Sequence, residues 1–309
     1  MQERSNEGAG FRLSWTIEET AERNDGRGNQ VKPKGLNRSL DWLKAINETL
    51  FPPLPDCPLC RQSLSIYGKA QGRTGICRRC DEELSQSRND YLQCPRCGKY
   101  KEYKGKPHTC SVPSGTLCSN CTEQEPRFIR AWNIGPYQGI LRQSVHDLKY
   151  RGYRQIAEVF GIMMADRLWS AVPGSTWLNP WGHLRNAVLV PIPLHPEKLY
   201  RRNFNQALRL AEVIGRETGL PVVDILARRD DRTAQAHLNR QERMHNLKGQ
   251  FYLIDSVEDL GKKSFARTAA IIVDDVYTTG ATVAEAAITL SGAGIKETYV
   301  LTVAAGVGN

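Results

Sequence analysis

Residues 269–287, AAIIVDDVYTTGATVAEAA, leave few folds open to this chain. Residues 269–273 are a short apolar run containing Ile and Val, which reads as a buried strand in the middle of a parallel sheet. Asp274 and Asp275 stand where that strand is read to end. Thr278, Thr279, Gly280, Ala281 and Thr282 make a turn of small and hydroxyl-bearing residues. A helix follows, with Val283, Ala286, Ala287 and Leu290 on one face. Strand, turn and helix in that order belong to an open α/β sheet, where ligands bind at the carboxyl edge of the strands.

Each part has a chemical use. A helix N-terminus presents unpaired N–H groups and a partial positive charge, which suits a phosphate. Gly280 lets the backbone approach closely, and the threonines add hydroxyl donors. The two carboxylates repel a phosphate but accept hydrogen bonds from neighbouring sugar hydroxyls. The string therefore points to a sugar phosphate, with the phosphate on the turn and the diol on Asp274 and Asp275. A buried strand with an Asx-type turn and a threonine N-cap explains the parts singly. It does not explain VDDVxTTGAT as a whole.

A second feature constrains the first half. Cys57/Cys60, Cys77/Cys80, Cys94/Cys97 and Cys118/Cys121 are four CxxC pairs. A CxxC turn offers two sulfurs to one ion, and two such turns complete a tetrahedral shell, the arrangement of structural Zn²⁺. Eight ligands make two sites. The simplest assignment joins the first pair to the second and the third to the fourth, with an interleaved arrangement as the alternative. Gly98 follows the third knuckle, where a tight turn needs it. Cys110 is left over, with His108 near it, and both read as surface residues. The chain has nine cysteines and neither an apolar signal core nor a run of membrane-spanning length. Metal binding in a reducing, cytoplasmic compartment is therefore expected rather than disulfides. A module of this size buries little core, so metal supplies much of its folding free energy. Arg78, Arg79, Arg96, Lys99, Lys101, Lys104 and Lys106, with Tyr91, Tyr100 and Tyr103, surround the knuckles. They fit either a solvated surface or a single-stranded nucleic-acid interface. The net charge of +9 favours anionic partners without choosing among them.

The remaining elements complete an α/β reading. Residues 1–37 are polar and read as a flexible extension. Residues 38–126 hold a short amphipathic helix, at 39–50, and the double cysteine module. Residues 127–309 form the α/β domain. Strands are expected at 131–137, 187–193, 222–226, 251–254 and 298–304, and helices at 140–150, 156–168 and 205–218. Residues 170–185 read as a loop carrying Trp177 and Trp181. Residues 194–205 read as a basic loop between strand and helix, with His195, Lys198, Arg201, Arg202 and Asn205, again suited to an anion at the sheet edge. Residues 227–249 are long and polar, with Arg228, Arg229, Arg232, Thr233, Gln235, Arg240 and Arg243. Such a loop could close over a charged intermediate.

The strings YQGILRQSVHDLKYRG, VPIPLHPEKLYRRNFNQA, TAQAHLNRQERMHNLKGQF and VDDVYTTGATVAEAA, together with the knuckles, resemble the ComF family of competence-related proteins. VDDVYTTGAT by itself resembles the phosphoribosyl pyrophosphate (PRPP) motif of type I phosphoribosyltransferases. The resemblance runs from about residue 50 to 305. It implies a zinc-ribbon module in front of a type I phosphoribosyltransferase-like parallel sheet with helices on both faces, and a link to DNA uptake and natural transformation. The family usually has Gly where Asn203 stands; Asn tolerates positive φ better than most residues, which keeps the turn.

Two functional readings follow. In one, PRPP binds with its 5′-phosphate on Thr278–Thr282 and its ribose hydroxyls on Asp274 and Asp275. Mg²⁺ joins those hydroxyls to the pyrophosphate, and Lys198, Arg201 and Arg202 neutralise the leaving pyrophosphate. The hood over an acceptor falls at residues 127–152, where no residue marks an acceptor site. In the other, the fold is kept as an accessory module, and the knuckles and basic loops bind single-stranded DNA alongside competence machinery proteins.

Overall fold

The computed structural model describes residues 56–64, 68, 72–102, 117–171, 184, 186–229, 249–254 and 269–308. In chain order its elements are α1 (Arg78–Asn89), β1 (Tyr91–Gln93), β2 (Tyr100–Glu102), α2 (Ser119–Glu123), β3 (Arg130–Pro136), α3 (Gly139–Tyr150) and α4 (Arg154–Ala171). These are followed by β4 (Val188–Pro191), α5 (Pro196–Arg202), α6 (Gln206–Thr218), β5 (Leu226–Arg228), β6 (Phe251–Leu253), β7 (Ala269–Tyr277), α7 (Ala281–Gly292) and β8 (Glu297–Ala305).

The apolar runs pair as expected of a parallel sheet, in the order β3-β8-β7-β4. All three pairings are parallel, so the central strands β7 and β8 are buried on both sides. Strand alternation divides their side chains. Ile271 and Val273 share a core with Leu189, Leu301, Phe160 and Leu210. Ala270 and Ile272 share another with Val190, Val300, Ala286 and Leu290. The first core takes α3, α4 and α6; the second takes α7. The result is an α/β sheet with helices on both faces. The two short antiparallel pairs, β1–β2 and β5–β6, stand outside it.

Helix faces follow their periodicity. Leu141, Val145 and Leu148 of α3 are buried, as are Val283, Ala286, Ala287 and Leu290 of α7. On α6, Ala211 and Ile214 are buried as expected, together with Leu210 and Val213. Leu208 instead lines a cavity beside that helix.

Three local expectations are corrected. The basic stretch after β4 is not a loop: Pro196–Arg202 is helical. His195 Nδ1 accepts from the Glu197 N–H as N-cap, Pro196 pre-sets the first turn, Glu197 and Arg201/Arg202 suit the two ends of the dipole, and Asn203 closes the helix at φ 57°. Residues 222–226 do not form one strand; Val222 makes a single bridge to Leu189, and the strand begins at Leu226. The strand before the central turn does not end at Val273. It runs on through Asp274 and Asp275 to Tyr277, because pairing with β8 continues as far as Ala305. The helix expected at 39–50, residues 1–37, Trp177, Trp181, His108, Cys110, and most of the polar stretch between Ala227 and Gly249 lie outside the described residues.

Candidate functional site

The two carboxylates sit near the carboxyl end of central strand β7, and successive strand residues point to opposite sides. The Asp275 N–H donates to Asp274 Oδ1 at 2.8 Å. Asp275 is buried, and the Lys149 ammonium lies 2.7 Å from its Oδ1. Burial alone would lower the Lys149 pKa, but the charge of Asp275 and its hydrogen bond win, and the net shift is upward. Among the described residues, Asp274 has no such ion-pair partner. Burial first, and then the charge of Asp275, push its carboxyl up to about 7, against the opposing pull of Lys149.

Lys149 comes from the last turn of α3, four residues after inward-facing Val145. That spacing was the available sequence signal: a lysine at the edge of an otherwise apolar face. More cations converge from other elements. Arg228 of β5 is held by Gln250 Oε1 at 2.8 Å. Its pKa is pushed down by burial, with the charge of Asp274 opposing. The Lys198 amine of α5 is also pushed down, first by partial desolvation and then by the charges of Arg228, Arg202 and Lys149. Lys198 and Arg202 thus share one electrostatic neighbourhood with Lys149, Arg228 and the carboxylates. Arg201 is exposed on the same short helix. A cavity of about 730 Å³ opens beside Arg228, bordered by Leu194, Phe204, Leu208, Asp224 and Tyr252.

The turn after β7 is built for close approach. Thr278 is exposed, while Thr279, Gly280 and Thr282 are partly buried. The N-cap of α7 is Gly280 at φ 82°, a left-handed conformation that only glycine adopts freely. Gly280 has no side chain with which to cap this helix end, and the Thr279 hydroxyl accepts from the first helical N–H, that of Ala281, at 3.3 Å. Tyr277 lies beneath the turn: a Cβ on Gly280 would collide with its hydroxyl.

The eight paired cysteines gather into two sets, Cys57/Cys60/Cys77/Cys80 and Cys94/Cys97/Cys118/Cys121. Within each set the sulfurs all lie within 4.8 Å of one another. The sequential pairing holds and the interleaved one does not. Within each set hydrogen bonding pulls one thiol down, Cys57 through Cys80 and Cys94 through Cys97, and pushes its partner up. Four sulfurs so gathered can, once deprotonated, hold a zinc ion. The knuckles reach well into the structure. Cys57, Cys77 and Cys80 join the core of the α3 face, while Cys94, Cys97 and Cys121 join the core of the α7 face. Burial, and then the charge of the second set's sulfurs, push the Tyr277 hydroxyl pKa upward.

The basic surface expected on the knuckles is divided. Lys101 is exposed, but the aromatic rings turn inward. Tyr100 is buried and donates to Asn133 Oδ1 at 2.7 Å; Tyr91 packs edge-on against it and donates to Gln138. Tyr103, Lys104 and Lys106 lie outside the described residues. Among those described, no helix is long and apolar enough to cross a membrane.

No protein-family model matches the chain. It is 27% identical over 245 residues to Competence protein F of Haemophilus influenzae, covering 79% of this chain and 94% of that protein. It is 28% identical over 232 residues to the DNA utilization protein YhgH of Escherichia coli K12, covering 75% and 88%. It is 25% identical over 207 residues to Competence protein ComFC of Bacillus subtilis 168, covering 67% and 74%. Two four-cysteine sets preceding a parallel α/β sheet, and relatives of 25–28% identity matched along most of the chain, together support the ComF family.

Proposed function

We propose that the protein binds PRPP with Mg²⁺ and serves in DNA uptake, with its two cysteine sets holding structural zinc. The observation that carries the PRPP reading is the layout along one strand. Two carboxylates precede an open turn, the turn opens a helix N-terminus, Lys149 of α3 and Arg228 of β5 act on the carboxylates, and Lys198 of α5 lies in the field of both cations. The 5′-phosphate takes the N–H groups of the turn, and the ribose diol meets Asp274 and Asp275. Lys198, Arg202 and Arg228 balance the pyrophosphate, and Arg201 can join them. Oxygen donors of this kind suit Mg²⁺, which would bridge diol and pyrophosphate. Whether the ligand is turned over depends on an acceptor. The competence and DNA-utilization names of the relatives support the uptake role.

Calorimetry with Mg-PRPP tests the reading. Wild type should bind, and an Asp274→Asn/Asp275→Asn variant should bind at least ten-fold more weakly, while inorganic phosphate affinity stays near wild type. Equal PRPP binding by both proteins overturns it.

Single-stranded DNA is a second reading, favoured by one surface. Tyr200, Tyr150 and Tyr153 are 86%, 62% and 39% exposed. The Arg202 guanidinium lies 4.9 Å from the Tyr150 ring centre, and that of Arg61 lies 4.3 Å from Tyr153. Exposed rings interleaved with cations provide stacking faces and backbone charge. Binding should favour single strands over duplex, weaken with salt, and fall in Tyr150→Ala/Tyr200→Ala. Unchanged affinity in that variant removes this surface as the interface.

A further inference from the structure

The second cysteine set and the phosphate turn are neighbours. A pocket of about 90 Å³ lies between them, walled by Cys97, Lys99 and Cys121 on one side and by Thr279 and Gly280 on the other, with Tyr277 joining the walls. The Tyr277 ring packs edge-on against Phe128, with centroids 5.9 Å apart, and the Lys99 ammonium lies 5.9 Å from its centre. Its hydroxyl fills the space that a side chain at Gly280 would need. The backbone makes a second connection. Gly306 N–H donates to the Tyr277 carbonyl at 2.8 Å. Tyr100, directly after the third knuckle, donates its N–H to the Gly306 carbonyl at 3.1 Å and accepts from Gly308 N–H at 2.8 Å. The knuckle is thereby stitched to the segment that fixes Tyr277, while the Tyr277 side chain spans from the cysteine set to the turn.

We propose that Tyr277 is a positioning residue that couples the second cysteine set to the turn at residues 278–282. Tyr277 holds the turn in its anion-accepting shape only while the four thiolates of that set are drawn together around a metal ion. The functional consequence rests on the phosphate reading given above; the mechanical coupling does not. The first set provides an internal control. It packs on the opposite face and reaches the sheet through α3, with no residue in this pocket.

Hydrogen–deuterium exchange on the full zinc-loaded chain tests the coupling without any ligand. Peptides covering 278–284 report the turn, and peptides covering 269–273 report the fold. Tyr277→Ala should speed exchange of the turn about ten-fold and leave the strand protected. If Tyr277→Ala also opens the strand, Tyr277→Leu, which keeps apolar bulk without the hydroxyl, replaces it with the same expectation. Cys94→Ser/Cys97→Ser should reproduce the loosening in wild type and add little in the Tyr277 variant, the non-additivity that marks one connected route. Cys57→Ser/Cys60→Ser should leave the turn protected. Inorganic phosphate, titrated in parallel, should bind wild type and lose affinity in the same variants that loosen the turn. A turn that exchanges at the wild-type rate in the Tyr277 variant overturns the proposal, as does equal loosening by loss of either cysteine set. If the exchange pattern appears but wild type binds no phosphate, the coupling stands and the phosphate reading falls.

Discussion

The two four-cysteine sets are nearly interchangeable as sequence and differ in what they hold. The first packs on the α3 face. Cys77 caps α1, with its sulfur accepting from Cys80 N–H at 3.4 Å, and Leu59 and Ile76 beside it are fully buried. It grips α3 by polar contacts: Arg61 pairs with Asp147, Glu83 Oε1 accepts from Ile140 N–H at 2.9 Å, and Ser144 reaches the Leu59 carbonyl at 3.5 Å. The second set packs on the α7 face and docks on strand ends. The Arg96 carbonyl accepts from Ala131 N–H at 2.7 Å, and the Asn133 side-chain amide donates to the Gly98 carbonyl at 3.0 Å. A Cβ on Gly98 would lie 2.6 Å from the Asn133 amide nitrogen, so glycine is required there for the packing as well as for φ 70°. One set therefore braces the helix that carries Lys149, and the other braces the turn after Tyr277. The same local chemistry serves different halves of one site because strand alternation sends its neighbours to opposite faces.

This comparison can be broken first by removing metal. Both sets lie inside the unit Leu54–Asn309 and share cores with the sheet. A structural zinc contributes an apparent free energy on the order of 10 kcal/mol. A strong chelator should therefore lower the melting temperature of the sheet itself, and should not simply release a separate module. Circular dichroism melts alongside metal analysis measure this. Full metal loss with an unshifted sheet transition would show that the shared cores contribute nothing to coupling.

A smaller effect isolates the first set. Asp147 has a side chain only 3% exposed, held by Arg61 and, at 3.3 Å, by Arg151. Arg61→Ala leaves a nearly buried carboxylate with one arginine partner, Arg151, and the His146 ring at 4.0 Å. Because Arg61 is itself 35% exposed, the expected cost is about 1–3 kcal/mol rather than the full penalty of a broken buried pair. The loss should loosen α3 and weaken PRPP through Lys149, while exchange in the 278–284 turn stays at the wild-type rate. Urea titration and the same exchange peptides check both halves.

The sequence disclosed what local pattern determines. Continuous apolar runs marked the central strands, i,i+4 spacing marked the faces of α3 and α7, and paired CxxC turns marked the metal sets. It did not disclose what pairing and convergence determine. The run VDDVY concealed the last four residues of β7, because their strand character comes from β8 alongside rather than from their own polarity. Helix α5 has no buried residue and so no apolar stripe to read; only its caps give it away. Lys149 and Arg228 are 79 positions apart and meet the carboxylates only in the fold, while Tyr277, between the expected strand and turn, shows no role until Gly280 and Cys97 are seen beside it.

The smallest expected effect sharpens the contrast within the carboxylate pair. Asp275 has Lys149 as its counterion, whereas burial raises the Asp274 carboxyl from the ordinary carboxylate range to about 7. A raised carboxyl pKa means that the folded state holds its proton to higher pH than the unfolded chain. Stability should thus fall as pH rises through the window from about 4 to 7, by about 1–2 kcal/mol once partial exposure is allowed for. Asp274→Asn should lack that fall, and melting temperatures at pH 5 and pH 8 measure it. Ligand binding should respond in the opposite direction. The diol and Mg²⁺ need the ionised carboxylate, so Mg-PRPP affinity should rise about ten-fold from pH 6 to pH 8, as the deprotonated fraction grows around a pKa near 7. PRPP titrates in the same range, which makes Asp274→Asn the necessary reference: its profile contains only the titration of the ligand and the rest of the site. A pH profile that is the same in wild type and Asp274→Asn would mean that Asp274 is already ionised at pH 6, and Lys149 would then have to serve both carboxylates.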